Sequence, residues 1–308
     1  MSTVAKMSPN SILRLTPAQI EHFHNEGYLV LCHNEHNLIS PSTLQQWTNE
    51  VRELPREKER WMPYDEITAT GERQIMRTEN FVDFHEGFSS LLHGEALTSI
   101  LAQLTGDSMR LFKDKINYKL AGGNGFAAHL DAPAYDHVGE IEHTTANLAV
   151  NAAKIANGCI EVVAGSHKTD VELVDGTGEI SAAWEAQATW IPVELEEGDL
   201  LIFGSHLAHR SKENMTSQPR ASVYATYYNI SDGQDLRNKY YQDRRLNFPP
   251  DHGMLPLESM TWYRAPMTDI LFAERVPGRD YSAGVKRYGF AAPFTSIDQR
   301  ASVEQAAT

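Results

Sequence analysis

What most constrains the fold of this chain is a change of texture near residue 110. Upstream, apolar residues fall at helical spacing: Ile20 and Phe23 follow Thr16-Pro17, and Leu44, Trp47, Val51 and Leu54 share one face of Pro41 to Leu54. Thr16 offers a capping hydroxyl and Pro17 suits the first helical position, so a helix starts there and ends near Gly27, with Tyr28 to Leu31 a strand. Phe88 to Leu104 reads as a further helix stopped by Gly106. Downstream, short strand-like runs are separated by Gly, Asn and Asp: Arg110 to Leu120, Ala146 to Ala152, Gly158 to Ala164, Thr189 to Val193, Asp199 to Phe203 and Ala221 to Asn229. Helices first and many short strands afterwards predict an α+β chain with a β-barrel or jelly-roll core.

Arg110 to Leu120 sets Leu111, Lys113, Lys115, Asn117 and Lys119 against Phe112, Ile116 and Tyr118, a strand with one polar face. The charged segment Pro55 to Gly71, with its Pro and Gly, reads as a loop or lid-like insertion. No repeat or interdomain linker is visible, so residues 1–308 are expected to form one domain. Residues 1–13 are expected to be loose. Residues 231–308 read as an irregular extension, apart from a helix over Arg237 to Phe248 ended by Pro249-Pro250.

Composition excludes several classes of function. A formal charge of -14 argues against nucleic acid or an anionic membrane as partner, since both demand clustered Lys and Arg. The 2 cysteines, Cys32 and Cys159, form no Cys-x-x-Cys pair, which excludes a disulfide framework and a Cys-based zinc site. No apolar run reaches the length of a membrane span, and Met1 to Leu13 lacks the apolar core of a signal peptide. The expectation is a cytoplasmic protein acting on a small molecule. Oligomeric state, a homodimer included, is not fixed by sequence.

Chemistry gathers around His129-Leu130-Asp131 and the distant Ser205-His206-Leu207-Ala208-His209. A His and a carboxylate two positions apart on a strand share a face, and a second imidazole completes the two-His, one-carboxylate set that holds Fe(II) with open positions. With 13 His in the chain, His-x-Asp alone is a weak signal. His206 and His209 cannot share a face of a regular strand, so only one of them is the third ligand. Arg220 opens the strand after His209, where a hairpin would turn it into the same cavity, and a guanidinium there suits a dicarboxylate.

The ordered set of motifs resembles the phytanoyl-CoA dioxygenase family of Fe(II)- and 2-oxoglutarate-dependent oxygenases. It comprises Leu15-Thr16-x-x-Gln19-Ile20-x-x-Phe23-x-x-x-Gly27-Tyr28, His129-x-Asp131, Asn157-Gly158-Cys159, Gly165-Ser166-His167, Gly198-Asp199, His209-x-Ser211-x-x-Asn214 and Arg220, across residues 15 to about 230. The resemblance implies a double-stranded β-helix with N-terminal helices packed on one sheet. It implies His129, Asp131 and His209 as iron ligands, with Arg220 and Ser211 on the far carboxylate of 2-oxoglutarate and Arg77 the nearest match to a further basic residue. The spacing of Ser211 and Arg220 then selects His209 over His206. Iron, 2-oxoglutarate and O₂ would be consumed or held, with ascorbate the reductant in vitro, and a C–H bond would be oxidised with release of succinate and CO₂.

Departures from the family pattern are Leu130 where Gln is usual, Ala164 where Pro is frequent and Phe126 where a polar residue is frequent. The last leaves the metal-side end of 2-oxoglutarate unassigned, and Asn117 is the candidate to fill it. Asp131-Ala-Pro-Ala-Tyr135 and the Tyr240-Tyr241 tail resemble a subgroup containing 2-aminoethylphosphonate hydroxylases. That implies a small zwitterion, with Lys115 or Arg77 facing its acidic end, Asp136 its amine, and Tyr135 lining the pocket. Competing readings are a larger terpenoid or alkaloid substrate, a silent jelly-roll binding protein, and a cupin-like metalloenzyme without 2-oxoglutarate.

Overall fold

The capping residues read from sequence act as such. Thr16 Oγ1 accepts a hydrogen bond from the Gln19 backbone N–H and Gln19 Oε1 accepts one from the Thr16 backbone N–H, opening α1 (Pro17–Glu26). Gly27 ends it at φ 85°, a left-handed position where a Cβ would stand 2.5 Å from the His167 ring. The computed structural model describes residues 12–250, apart from 58, 68–72, 136–137, 140, 175–176 and 248–249.

After β1 (Tyr28–Leu31) come α2 (His33–His36), α3 (Pro41–Arg52), β2 (Met62–Ile67), β3 (Arg73–Glu79), α4 (Glu86–Leu92) and α5 (Glu95–Thr105). The strand-rich half follows: β4 (Met109–Lys119), β5 (Phe126–His129), β6 (His143–Ala149), β7 (Ile160–Val162), α6 (Ala182–Gln187), β8 (Ile191–Val193), β9 (Leu200–Gly204), β10 (His209–Ser211), β11 (Arg220–Asn229) and α7 (Leu236–Asn247). Among the described residues the strands form a 7-stranded sheet, β1-β9-β6-β11-β4-β3-β2, and a 4-stranded sheet, β5-β10-β7-β8. Every named pairing is antiparallel. This is the double-stranded β-helix of an α+β chain, as expected.

The helices pack on the outer face of the large sheet. Leu44, Phe88, Leu97, Ile100 and Leu104 close one core with Leu111, Ile116, Tyr118, Leu148, Val223 and Tyr227. Fully burying each such side chain stabilises by about 1.5–3 kcal/mol, which fixes the outer face and turns the alternate residues inward. The inner face is therefore polar. Its cross-strand rows run Lys119–Arg220, then Asn117–Ser222–Ala149, then Lys115–Tyr224–Asn147, then Lys113–Thr226–Thr145, with Tyr228–His143 beyond.

Four expectations need correction. Part of the predicted lid, Met62–Ile67, is an edge strand: Met62 and Tyr64 are buried, and Asp65 is neutralised by Arg56 and Arg73, so its charges mark pairing rather than a loop. The helix expected over Phe88 to Leu104 is two helices, because Gly94 caps the second from an extended conformation. Phe112 is the extra residue of a bulge, since Thr226 pairs with Lys113 and Tyr227 with Leu111. That bulge moves Leu111 to the outer core and breaks the alternation assumed for the strand. Finally, β10 and β11 are not a hairpin, for they lie in different sheets and the chain crosses between them. The helix expected over Arg237 to Phe248 is α7. Residues 1–11 and 251–308, on which the loose start and most of the irregular tail fall, lie outside the described residues. No helix among the described residues is long and apolar enough to cross a membrane.

Candidate metal centre and its two cation clusters

His129 ends β5, His209 opens β10, and the two are direct cross-strand partners with ring centroids 4.2 Å apart. Asp131 is not on the strand. It has turned to φ -76°, ψ -32° at the start of a short 3₁₀ turn over Ala132–Ala134, and its amide donates to the Ser205 carbonyl. That turn, rather than strand alternation, carries its carboxylate to 3.8 Å from His129 Nε2 and 3.9 Å from His209 Nε2. The ligand atoms of the three buried residues all lie within 4.8 Å of one another, a group that could hold a metal ion.

The rings are oriented for that use. His129 Nδ1 donates to the Ala127 carbonyl at 2.7 Å and His209 Nδ1 to the Leu207 carbonyl at 2.9 Å, which leaves each Nε2 as an unprotonated donor to a cation. Burial, then the neighbouring His209, pushes His129 down to about 3, so it is neutral at ordinary pH. Burial would raise Asp131, but His209, His129, Lys115 and Lys113 outweigh it and hold the carboxyl below its usual range. Two imidazoles and one carboxylate, buried together, fit Fe(II) and leave positions open. His206 is elsewhere: half-exposed in the turn before β10, with Nε2 3.6 Å from Glu142.

Below the triad sits a cation pair. Lys119 and Arg220 are cross-strand neighbours, both buried, and no ion pair to either exists among the described residues. They are held by backbone oxygens instead. Arg220 donates to Asn157 O at 2.9 Å and to Gly158 O, and Lys119 donates to Lys212 O and, at 2.9 Å, to Ser211 Oγ. Gly158 is required here: its φ is 70°, and a Cβ would fall 2.1 Å from the Lys212 carbonyl. Burial, then repulsion by Arg220, lowers Lys119 well below its ordinary range. Two buried cations and one hydroxyl, with no acid in ion-pair contact among the described residues and only the longer-range pull of Glu66 and Glu213 on Lys119, make a site for a carboxylate. Lys119 is the residue that sequence reasoning missed; its place on the polar face of β4 was the available signal. Asn117 is one row away, its Oδ1 buried without a partner.

Above the triad lies a second cluster. Arg77 is paired across from Asn117 but its guanidinium goes to Glu79, Nε to Oε1 3.1 Å, and stacks over Tyr64. Arg244 from α7 grips both oxygens of the same Glu79 at 3.0 and 3.1 Å, and Lys113 stands 4.0 Å from it. Lys115 has no hydrogen bond or ion pair among the described residues, only the face of Tyr224 4.8 Å away. Burial pulls Lys113 down to about 8 and, with Lys113 beside it, Lys115 to about 7. Phe112, Tyr135, Tyr228 and Tyr240 wall this space, Tyr240 again contributed by α7. Asp136, expected at the substrate's amine, and its neighbour His137 lie outside the described residues.

Comparison with known proteins places this arrangement among relatives. A family model described as phytanoyl-CoA dioxygenase matches residues 23–222. The chain is 35% identical over 273 residues to a 2-aminoethylphosphonate dioxygenase of uncultured bacterium HF130_AEPn_1, covering 88% of this chain and 92% of the relative. It is 38% identical to the dioxygenase lolE1 of Epichloe uncinata (76% and 90%) and 37% identical to a methylphosphonate hydroxylase of Gimesia maris (76% and 88%). Among solved structures, that of EctD from S. alaskensis with 2-oxoglutarate and 5-hydroxyectoine superposes with a TM-score of 0.61 at 19% identity, covering 74% of this chain and 80% of that one, a likeness of fold.

Proposed function

The chain belongs to the phytanoyl-CoA dioxygenase family and is an Fe(II)- and 2-oxoglutarate-dependent oxygenase, and from that premise we propose that it oxidises a C–H bond of a small phosphonate-bearing metabolite. The observation that carries the reading is the inner face itself: one triad set between a cation pair that makes no ion pair among the described residues and a second cluster in which three cations share Glu79 beside Lys115. Relatives named for 2-aminoethylphosphonate and methylphosphonate support the choice of oxyanion.

His129, Asp131 and His209 are the iron ligands in this reading. Arg220, Lys119 and Ser211 take the far carboxylate of 2-oxoglutarate, with Asn117 the polar group nearest its other end. When bound, iron and 2-oxoglutarate together with O₂ supply the oxidant, and succinate and CO₂ leave. The chain's own part is positional. The carbonyls of Ala127 and Leu207 fix the two imidazoles, and those of Asn157, Gly158 and Lys212 fix the two cations. Lys115, Lys113 and Arg77 orient the substrate's anionic end, and the aromatic wall of Phe112, Tyr135 and Tyr240 keeps water from the reacting carbon. Hydroxylation is the default outcome.

The test is substrate-dependent succinate formation, with Fe(II), 2-oxoglutarate and ascorbate, over a panel of aminophosphonates, alkylphosphonates, amino acids and alkaloid scaffolds. A phosphonate that releases succinate and gains one oxygen is the expected result. His129→Ala is expected to abolish both iron binding and turnover. Turnover confined to alkaloids would replace the small-oxyanion reading.

A further inference from the structure

His143 has no part in the site as described, yet it is the most conspicuous unused polar group in the chamber. It opens β6 on the inner face, is 2% exposed, and neither ring nitrogen has a hydrogen-bond partner. The Ile141 carbonyl comes near the ring but not in hydrogen-bond geometry. The imidazole is instead packed among rings, 4.5 Å from Tyr135 and 4.6 Å from Phe112 by centroid. Lys113 Nζ stands 5.7 Å from the centroid of that same Tyr135 ring, so the ammonium and the imidazole flank one aromatic wall. An orphaned buried donor or acceptor costs about 1–3 kcal/mol, a cost a ligand removes when it supplies the partner.

We propose that His143 is a substrate-contacting specificity residue, hydrogen-bonded to one oxygen of a tetrahedral oxyanion headgroup that Lys113 and Lys115 hold by charge. This rests on the reading of the chamber as the site of a small oxyanion substrate. Three donors reach the headgroup from two strands. A phosphonate has three oxygens to meet them, and its P–OH form can also donate to the neutral imidazole. A carboxylate has two oxygens and, once ionised, can only accept. With the two lysines on its two oxygens, its planar head has no third oxygen to point toward His143. The ring's burial holds it neutral, with a pKa pulled down to about 3, so it adds a hydrogen bond without adding charge. The residue therefore discriminates by geometry where the lysines discriminate only by sign.

The experiment is calorimetric titration of the anaerobic enzyme, loaded with Fe(II) and 2-oxoglutarate, with methylphosphonate and with acetate. The wild-type protein is expected to bind methylphosphonate at least tenfold more tightly. His143→Phe keeps a ring in the wall and removes both nitrogens; methylphosphonate affinity should fall about tenfold with acetate unchanged, and His143→Gln, which keeps an N–H, should recover most of it. The ligand-free thermal midpoint should hold or rise, since an unpartnered buried polar ring is removed, 2-oxoglutarate affinity should stay at its wild-type value, and His143→Leu takes the place of the Phe variant if the phenyl ring is not accommodated. Equal weakening of both anions, no weakening of either, or no selectivity in the wild-type protein would overturn the proposal. Selective methylphosphonate binding without succinate from any phosphonate would instead overturn the functional reading while leaving His143 in its role.

Discussion

The two cation clusters on either side of the triad are built on opposite electrostatic plans. Lys119 and Arg220 make no ion pair among the described residues and are held in place by backbone carbonyls. Arg77, Lys113 and Arg244 converge on Glu79, which is wholly buried. The first cluster has no acid in contact with it among the described residues, which in the proposed reading suits it to the dianionic co-substrate. The second is partly self-neutralised, and Glu79 doubles as the anchor that ties α7 to the sheet. Repulsion is left without a contacting counter-charge in the first cluster, and in the second the charges are spent on structure.

The largest expected effect comes from breaking the balanced side. Glu79→Gln leaves Arg77 and Arg244 buried without their counter-charge and should cost about 3–5 kcal/mol, measured by denaturant unfolding. The same carboxylate sets an acid limit. Burial works to raise it, but Arg244, Lys113 and Arg77 prevail and hold it well below its ordinary 4.5. Its contribution is therefore fully present above about pH 4.5 and is lost as pH falls toward the folded-state value. Thermal melts from pH 7 down to pH 3 should show the Glu79→Gln penalty shrinking.

Breaking the unbalanced side should act on ligand affinity. Arg220→Ala is expected to raise the KM for 2-oxoglutarate by about a hundredfold, the loss of a charge-assisted pair worth about 3 kcal/mol. Lys119→Met should weaken 2-oxoglutarate by about tenfold and raise the Tm of the ligand-free protein, because a buried cation repelled by Arg220 is removed. A lower Tm would mean that the carbonyl cradle outweighs the repulsion. The smallest effect sharpens the contrast: Lys115→Gln should raise substrate KM by about tenfold and leave the KM for 2-oxoglutarate and the Tm unchanged, since its ammonium makes no ion pair to lose.

Much of the fold was legible because caps, turns and alternation are local. Thr16, Gly27 and Gly106 mark helix ends by their own side chains or lack of one, and β1, β9 and β11 appear nearly where their apolar runs put them. The bulge at Phe112 was not legible, since an extra residue in a ladder is defined only by the partner strand. The edge strand β2 was hidden for a related reason: Asp65 looks like a loop residue until Arg56 and Arg73 are seen to neutralise it. Asp131 kept its spacing to His129 but reached the centre by a turn, which the two-residue spacing alone could not distinguish from a strand.

By itself the sequence determined the reaction class and the polar identity of one face of β4, because residue type and order suffice for both. Only the tertiary structure decided that this face points inward. A strand of alternating Lys and Leu reads the same whether its lysines meet solvent or a sealed chamber; stacking the helices on Leu111, Ile116 and Tyr118 leaves Lys113, Lys115 and Lys119 no other side to occupy. The same packing brings Arg220 beside Lys119 and Arg244 onto Glu79, from positions 101 and 165 residues apart in sequence. Charge is a property of the chain, but whether a charge is balanced is a property of the fold, and in this protein that balance distinguishes the two cation clusters that flank the triad.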